Sequence, residues 1–213
     1  MPRRLQFALP MLQSGTVLMS ENIPYVQLQM VLPRARFAML PAPHLPPGYT
    51  LRTFQPGDES EFLRVLNLQD WGAWAPDRLQ PWLQRIVPAS WYMCIHQADG
   101  RLAATAMGLD DSSDLHPSGG ELGWVAADPA HRGKGLGTAV CAAATARLLQ
   151  AGYRQVHLFT EHWRLPAIHI YFKLGYVPLL HLPEMYDRWR VICDQLERPF
   201  EPDAWIAALE QDG

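Results

Sequence analysis

Residues 119–138, GGELGWVAADPAHRGKGLGT, constrain this chain more than any other stretch. The apolar run over 122–127 reads as a buried strand, and Asp128-Pro129 stops it. Arg132, Gly133, Lys134, Gly135, Leu136, Gly137 and Thr138 follow, and an alanine-rich, helix-forming stretch begins directly behind them. A strand, a basic glycine-rich loop and a helix start, in that order, build an anion site. The first turn of a helix offers free backbone N–H groups and a partial positive charge. Glycine lets the main chain approach a phosphate with no Cβ in the way. A diphosphate is the natural guest.

Two common diphosphate motifs are excluded by spacing. The P-loop requires G-x-x-x-x-G-K-[ST], but Lys134 lies between glycines and no Gly-Lys-Ser/Thr follows. The dinucleotide fingerprint requires G-x-G-x-x-G straight off a strand. Here the spacing is G-x-G-x-G, and residues 128–132 intervene. The pattern that fits is R-x-x-G-x-G, read as Arg132, Gly135 and Gly137. It resembles the acetyl-coenzyme A pyrophosphate loop of the GCN5-related N-acetyltransferase (GNAT) superfamily.

The resemblance continues downstream. From Leu158 the chain reads LFTEHWRLPAIHIYFKLGYVPL. In GNAT proteins a helix with an Ala-Ile-x-x-Tyr-x-x-x-Gly-Phe/Tyr pattern follows the next strand, and Ala167, Ile168, Tyr171, Gly175 and Tyr176 match it. The resemblance spans about residues 49–180 and is strongest over 119–180. It implies a mixed α/β fold whose central sheet is mixed, mostly antiparallel and splayed, with helices flanking it. Two departures stand out. Arg164 occupies a position that is often Asn in the family. The family's final strand pair is also not obvious beyond residue 180, where a helix over 184–196 is expected instead.

The remaining elements follow from periodicity. Residues 49–54 alternate as a first core strand. Asp58, with Glu61 three residues on, has the form of a capping box before Phe62, Val65 and Leu66 at helical spacing. A second helix is expected near 76–87, in a segment that holds Trp71, Trp74 and Trp82. These tryptophans read as core or as the wall of an acceptor cavity, where aromatic faces suit a cationic amine. Strands over 90–97 and 102–109 flank an Asp-Gly turn. Asp110, Asp111 and Asp114 lie in a polar loop without EF-hand spacing and read as solvated turn residues. A helix over 139–150, a strand over 155–160, a helix with Pro166 in its first turn and a short strand over 176–180 follow. The last residues suggest another helical turn or two. Residues 1–47 read as an extension, adding an edge strand or hairpin and ending in the connector PAPHLPPG, with 48–213 as the transferase domain.

Composition narrows the partners. A chain of 213 residues, 48% hydrophobic and 18% charged, suits one packed domain with elaborations. A net charge of -3 gives no basic field for nucleic acid or acidic membrane. Cys94, Cys141 and Cys193 are far apart and form no CxxC pair, which suits reduced thiols in the cytoplasm. No metal motif is present. Pro10 and Gln13 interrupt the N-terminal apolar run before a signal-like core forms, the first twenty residues have room to be disordered, and no stretch approaches a membrane span.

The resemblance implies direct acetyl transfer from acetyl-coenzyme A to a primary amine, of a small molecule in preference to a protein tail. Backbone groups of Val125, Ala126 and Ala127 would meet the pantetheine arm and thioester carbonyl. The backbone of Arg132, Gly133, Lys134, Gly135, Leu136, Gly137 and Thr138 would cradle the pyrophosphate. Tyr171 is the candidate general acid for the leaving thiolate, and Glu121 the candidate base, with Glu161 and His162 as alternatives. His157 reads as structural and Cys141 as core. A non-catalytic acyl-coenzyme A binding module and transfer of a longer acyl group remain the competing readings, and a homodimer is compatible with the chain.

Overall fold

A computed structural model describes residues 26–69 and 71–211. The expectations for the first twenty residues, disorder and an interrupted signal-like run, lie outside that range. Seven strands share one sheet: β1 (Leu28–Leu32), β2 (Tyr49–Thr53), β3 (Tyr92–His96), β4 (Leu102–Asp110), β5 (Gly119–Ala127), β6 (Gln155–Thr160) and β7 (Val177–Pro178). Their spatial order is β2-β3-β4-β5-β6-β1-β7. Every neighbouring pair is antiparallel except β5 with β6. The sheet is therefore mixed and mostly antiparallel, as the resemblance implies.

Helices cover both faces. α1 (Glu59–Asn67) and α2 (Pro76–Leu83) contribute Phe62, Val65, Leu66 and Leu79 to one core. α3 (Leu136–Gln150), α4 (Leu165–Lys173), α5 (Glu184–Gln195) and α6 (Pro202–Glu210) contribute Val140, Leu148, Ile168, Trp189 and Trp205 to the other. Met93 and Cys94, neighbours on β3, go to different cores, as the two-residue period of a strand requires. α3 lies close over the sheet because its facing residues are small, including Ala139, Ala143 and Ala144.

The N-terminal segment departs from the expected edge strand or hairpin. β1 lies inside the sheet, antiparallel to β6 along all five residues from Leu28↔Thr160 to Leu32↔Val156. On its other side Met30 and Val31 pair with Pro178 and Val177. The physical reason is in LQMVL itself. Every residue of this strand is buried, and four of the five are apolar, with Gln29 satisfied by His116, so both faces are covered as in an internal strand and not half-exposed as at an edge. β1 thus supplies a strand that the C-terminal sequence lacks. Met30 is fully buried, and Met30→Ala should cost about 2–5 kcal/mol in urea unfolding. A loss under about 0.5 kcal/mol, the size of an ordinary surface change, would contradict an internal β1.

Three local expectations also change. Asp58 does not cap α1. Its carboxylate accepts from Arg52 at 2.6 and 2.8 Å and from the Gln55 N–H at 2.7 Å, and these bonds engage both oxygens and turn them away from the helix. Glu61 turns instead to Arg64 and the Leu102 N–H. α2 stops at Leu83 because residues 84–87 turn into a bridge between Ile86 and Leu109. β7 is only two residues long, since Pro178 has no N–H to extend the ladder.

Candidate functional site

The site begins where β5 and β6 part. Their parallel pairing lasts three positions, Gly119↔Gln155, Gly120↔Val156 and Glu121↔His157. Beyond it β6 stays with β1 and β5 with β4, so a wedge opens between them. β5 also carries a bulge. Met107 pairs with Gly123 and Thr105 with Ala126, so Trp124 and Val125 together oppose Ala106. Trp124 takes a left-handed φ of 54° there. The extra residue switches faces: Leu122 packs in the α3 core, whereas Ala126, four residues on, packs in the tryptophan-rich core. Val125, Ala126 and Ala127 thus lie on the splayed half of β5, with no strand on their β6 side among the described residues. The Ala127 carbonyl accepts from Gln69 Nε2 at 3.0 Å, which leaves one acceptor of this edge already occupied.

The glycine loop lies at the mouth of the wedge. Arg132, Gly133, Lys134 and Gly135 are exposed. Gly133 and Gly135 have φ of 76° and 77°, a region that side chains with a Cβ enter at a cost. Gly135 is the N-cap of α3 and brings no side chain to the first-turn N–H groups of Leu136, Gly137 and Thr138. Buried Leu136 anchors the turn. At Gly137 a Cβ would stand 2.9 Å from Ile170 Cδ1, so this glycine also lets α4 close on α3. Asp128 fixes the approach by accepting from the Ala130 N–H at 2.9 Å and Arg64 Nη1 at 2.7 Å. Lys134 Nζ lies 5.6 Å above the Tyr49 ring. No metal-holding group of three or more His, Cys, Asp or Glu occurs among the described residues.

Glu121 occupies the last paired position before the wedge, its side chain 13% exposed. Arg85 Nη2 reaches its Oε2 at 3.3 Å. Burial, and then the negative charge of Asp111, push the Glu121 carboxyl up to about 7, against the pull of Arg85. Tyr171 of α4 is buried, and burial raises its phenol well above the ordinary value. The charge of Glu121 is a lesser contribution to that rise. Arg164, at the N-cap of α4, lies 4.1 Å over the Trp71 ring.

The other candidates fall elsewhere. His157 is fully buried and its Nε2 donates to Asp111 Oδ2 at 2.9 Å. Cys141 is fully buried, and burial raises its thiol far beyond reactive range. Glu161 accepts from Gln27 Nε2 at 2.9 Å, and exposed His162 lies against Trp163. Trp71, Trp74 and Trp82 gather edge-on around Trp124 at 6.3, 4.5 and 5.1 Å. Their faces already hold the protein's own cations: Arg78 over Trp74, Arg85 over Trp82 and Arg164 over Trp71. The segment thus packs as core, and these three faces are not open to an amine. A groove of about 800 Å³, lined by Arg34, Arg85, Tyr153 and Arg154, lies at the other end of β5 and β6 and includes no residue of the glycine loop.

Sequence reasoning missed Arg85 and misread Asp111. Asp111 is no solvated turn residue: it is half-buried between Arg85 and His157. The three come from 26 and 46 residues apart, and no local pattern links them.

Comparison with known proteins bears on the family and the fold. The profile of the acetyltransferase (GNAT) family matches residues 57–176. A mycothiol acetyltransferase of Thermobispora bispora is 32% identical over 154 residues, 64% of this chain and 49% of the relative. One of Thermomonospora curvata is 32% identical over 163 residues, 71% of this chain and 51% of the relative. The chain spans about half the length of these curated relatives. Among solved structures, a GCN5-related N-acetyltransferase from Sphaerobacter thermophilus has a TM-score of 0.53 at 22% identity, covering 72% of this chain and 48% of its own. A chain of the NatC complex bound to Gag peptide and coenzyme A has a TM-score of 0.55 at 13% identity, covering 62% and 86%. These two likenesses speak for the fold.

Proposed function

Since the chain belongs to the acetyltransferase (GNAT) family, we propose that it transfers an acetyl group from acetyl-coenzyme A directly to the primary amine of a small molecule. The observation that carries this reading is a buried carboxylate, Glu121, at the apex of a splayed wedge whose mouth is the uncapped start of α3. A binding module needs the loop but has no use for a carboxylate held near neutrality. Transfer to an amine does.

In this reading the N–H groups of the 132–138 loop hold the diphosphate, and the open edge at Val125, Ala126 and Ala127 holds the pantetheine arm and thioester. Backbone donors are preorganised, so they stabilise a developing oxyanion without reorganising. The amine nitrogen attacks the thioester carbonyl carbon and loses a proton to Glu121. The C–S bond then breaks, and the thiolate takes a proton from Tyr171. Like any tyrosine, Tyr171 is protonated at neutral pH and so is available as the donor, although burial raises its phenol further and makes it a weaker acid. We place the reaction in the cytoplasm, a reducing compartment that suits three separate buried cysteines.

The test mixes protein, acetyl-coenzyme A and a panel of amines and follows free thiol. The relatives' name puts an acceptor of the mycothiol class first in the panel. Amine-dependent thiol release is expected. Tight cofactor binding without release would favour a non-catalytic module, and faster turnover with larger esters would favour a longer acyl group. Tyr171→Phe should lower kcat roughly 100-fold while changing coenzyme A affinity far less. Full activity in that variant would remove Tyr171 from the acid role.

A further inference from the structure

We infer that Asp111 is a positioning residue for the reaction: it holds the Arg85 guanidinium to itself and so leaves the Glu121 carboxylate able to take the proton of the acceptor amine. The inference rests on the acetyl-transfer reading above and concerns how its base is kept a base.

Among the described residues Glu121 has one cation in contact, and that cation is shared. Arg85 Nη2 reaches Glu121 Oε2 at 3.3 Å but also binds Asp111 Oδ1, the nearer of the two. Arg85 Nε donates to the Asp110 carbonyl at 3.1 Å, which fixes the guanidinium toward the β4–β5 loop. Asp111 has a second donor, His157 Nε2 at 2.9 Å, whereas Glu121 has no further hydrogen-bond donor among the described residues. When two carboxylates share one cation, the one with more donors keeps its charge and the other is easier to protonate. Burial opposes the charge of Asp111, but the His157 bond and Arg85 outweigh it and hold Asp111 below the usual carboxylate range.

The donor to Asp111 is itself positioned. His157 is the register partner of Glu121 on β6, so its ring stands on the same rung. It stacks on His116 with centroids 3.8 Å apart and planes within 8°. His116 Nε2 donates to Gln29 Oε1 at 2.7 Å, and Gln29 is on β1. Burial, and then the neighbouring His157, push His116 down to about 4, so it adds no second cation at neutral pH. The groups that face Glu121 are then Arg85 from the α2–β3 connection, Asp111 from the β4–β5 loop, His157 from β6 and Tyr171 from α4. Arg85 is the permanent cation of this set, and Asp111 is its main partner. The inserted strand β1 thus bears on the chemistry through Gln29, His116, His157 and Asp111 in turn.

The experiment is the pH profile of kcat/KM for amine acetylation by the full chain, in five forms. The wild-type acid limb is expected near pH 7. Asp111→Asn gives Arg85 to Glu121 alone, so its limb should move down by roughly one pH unit or more, the size of a tenfold change in proton affinity. Arg85→Gln removes the cation and should move the limb up. Asp111→Glu, which keeps the carboxylate, should restore it. The acceptor's own amine titrates alike in every form, so only the differences count. A role confined to packing would not shift the limb in opposite directions for Asp111→Asn and Arg85→Gln. Limbs that coincide within roughly 0.3 unit, or shift the same way, would overturn the inference. If Asp111→Asn does not fold, Asp111→Ser, which also lacks the charge, takes its place, with the same downward shift expected. Glu121→Gln separates this from failure of the parent reading: if that variant keeps the limb, Glu121 is not the base at all.

Discussion

Gly135→Glu lowers affinity for coenzyme A by more than about 100-fold in a calorimetric titration, while the fold survives. Gly135 has a φ of 77°, and a Cβ there would meet nothing within 4 Å. The substitution thus costs local backbone strain of about 1–2 kcal/mol and no clash. The new carboxylate projects beside the uncapped first turn of α3, where the diphosphate is proposed to lie. Two like charges about 4 Å apart repel by roughly 4 kcal/mol at the effective dielectric of a protein surface, and less at high salt. Gly135→Ala separates the two effects: it keeps the strain, lacks the charge and should lose less than about tenfold in affinity. Equal binding by wild type and Gly135→Glu would remove the pyrophosphate from this loop.

Glu121→Gln lowers kcat by roughly 100-fold or more and also changes how stability depends on pH. The ordinary glutamate value is 4.5, and burial raises Glu121 to about 7. Below 4.5 the side chain is protonated in both folded and unfolded states and costs nothing. Between 4.5 and 7 the unfolded chain has released its proton and the folded one has not. Wild-type stability therefore falls across this window, and the full cost of about 3 kcal/mol is reached above it. Glutamine has no charge to bury. The variant should match the wild type near pH 4 and exceed it by about 2–3 kcal/mol near pH 8 in urea unfolding. A difference independent of pH would show that the carboxylate is not held in this way.

The two substitutions address features that were unequally legible. The loop at 132–138 declares itself because its requirements are local: glycines at left-handed φ, a helix start directly after a strand, and no capping side chain. The same holds for β6, which spans 155–160 as the alternation suggested. Tyr171 was legible through the family resemblance, and it falls on α4, with Gly175 just past the helix end. The bulge at Trp124 left no such trace, since LGWVAA reads as an uninterrupted strand. Only its pairing with β4 shows that the faces switch there.

The sequence by itself determined the strand–loop–helix order, the uncapped glycine-rich helix start and the pattern that continues through Tyr176. These depend on contacts between near neighbours, which a linear pattern can encode. The tertiary structure alone decided that residues 28–32 enter the sheet between β6 and β7. It alone brought Arg85, Asp111 and His157 to the carboxylate of Glu121. Those meetings join residues 26 to 46 positions apart, and Gln29 meets His116 across 87. Shared charge in a buried space depends on which side chains arrive together, and that is a property of the packed sheet.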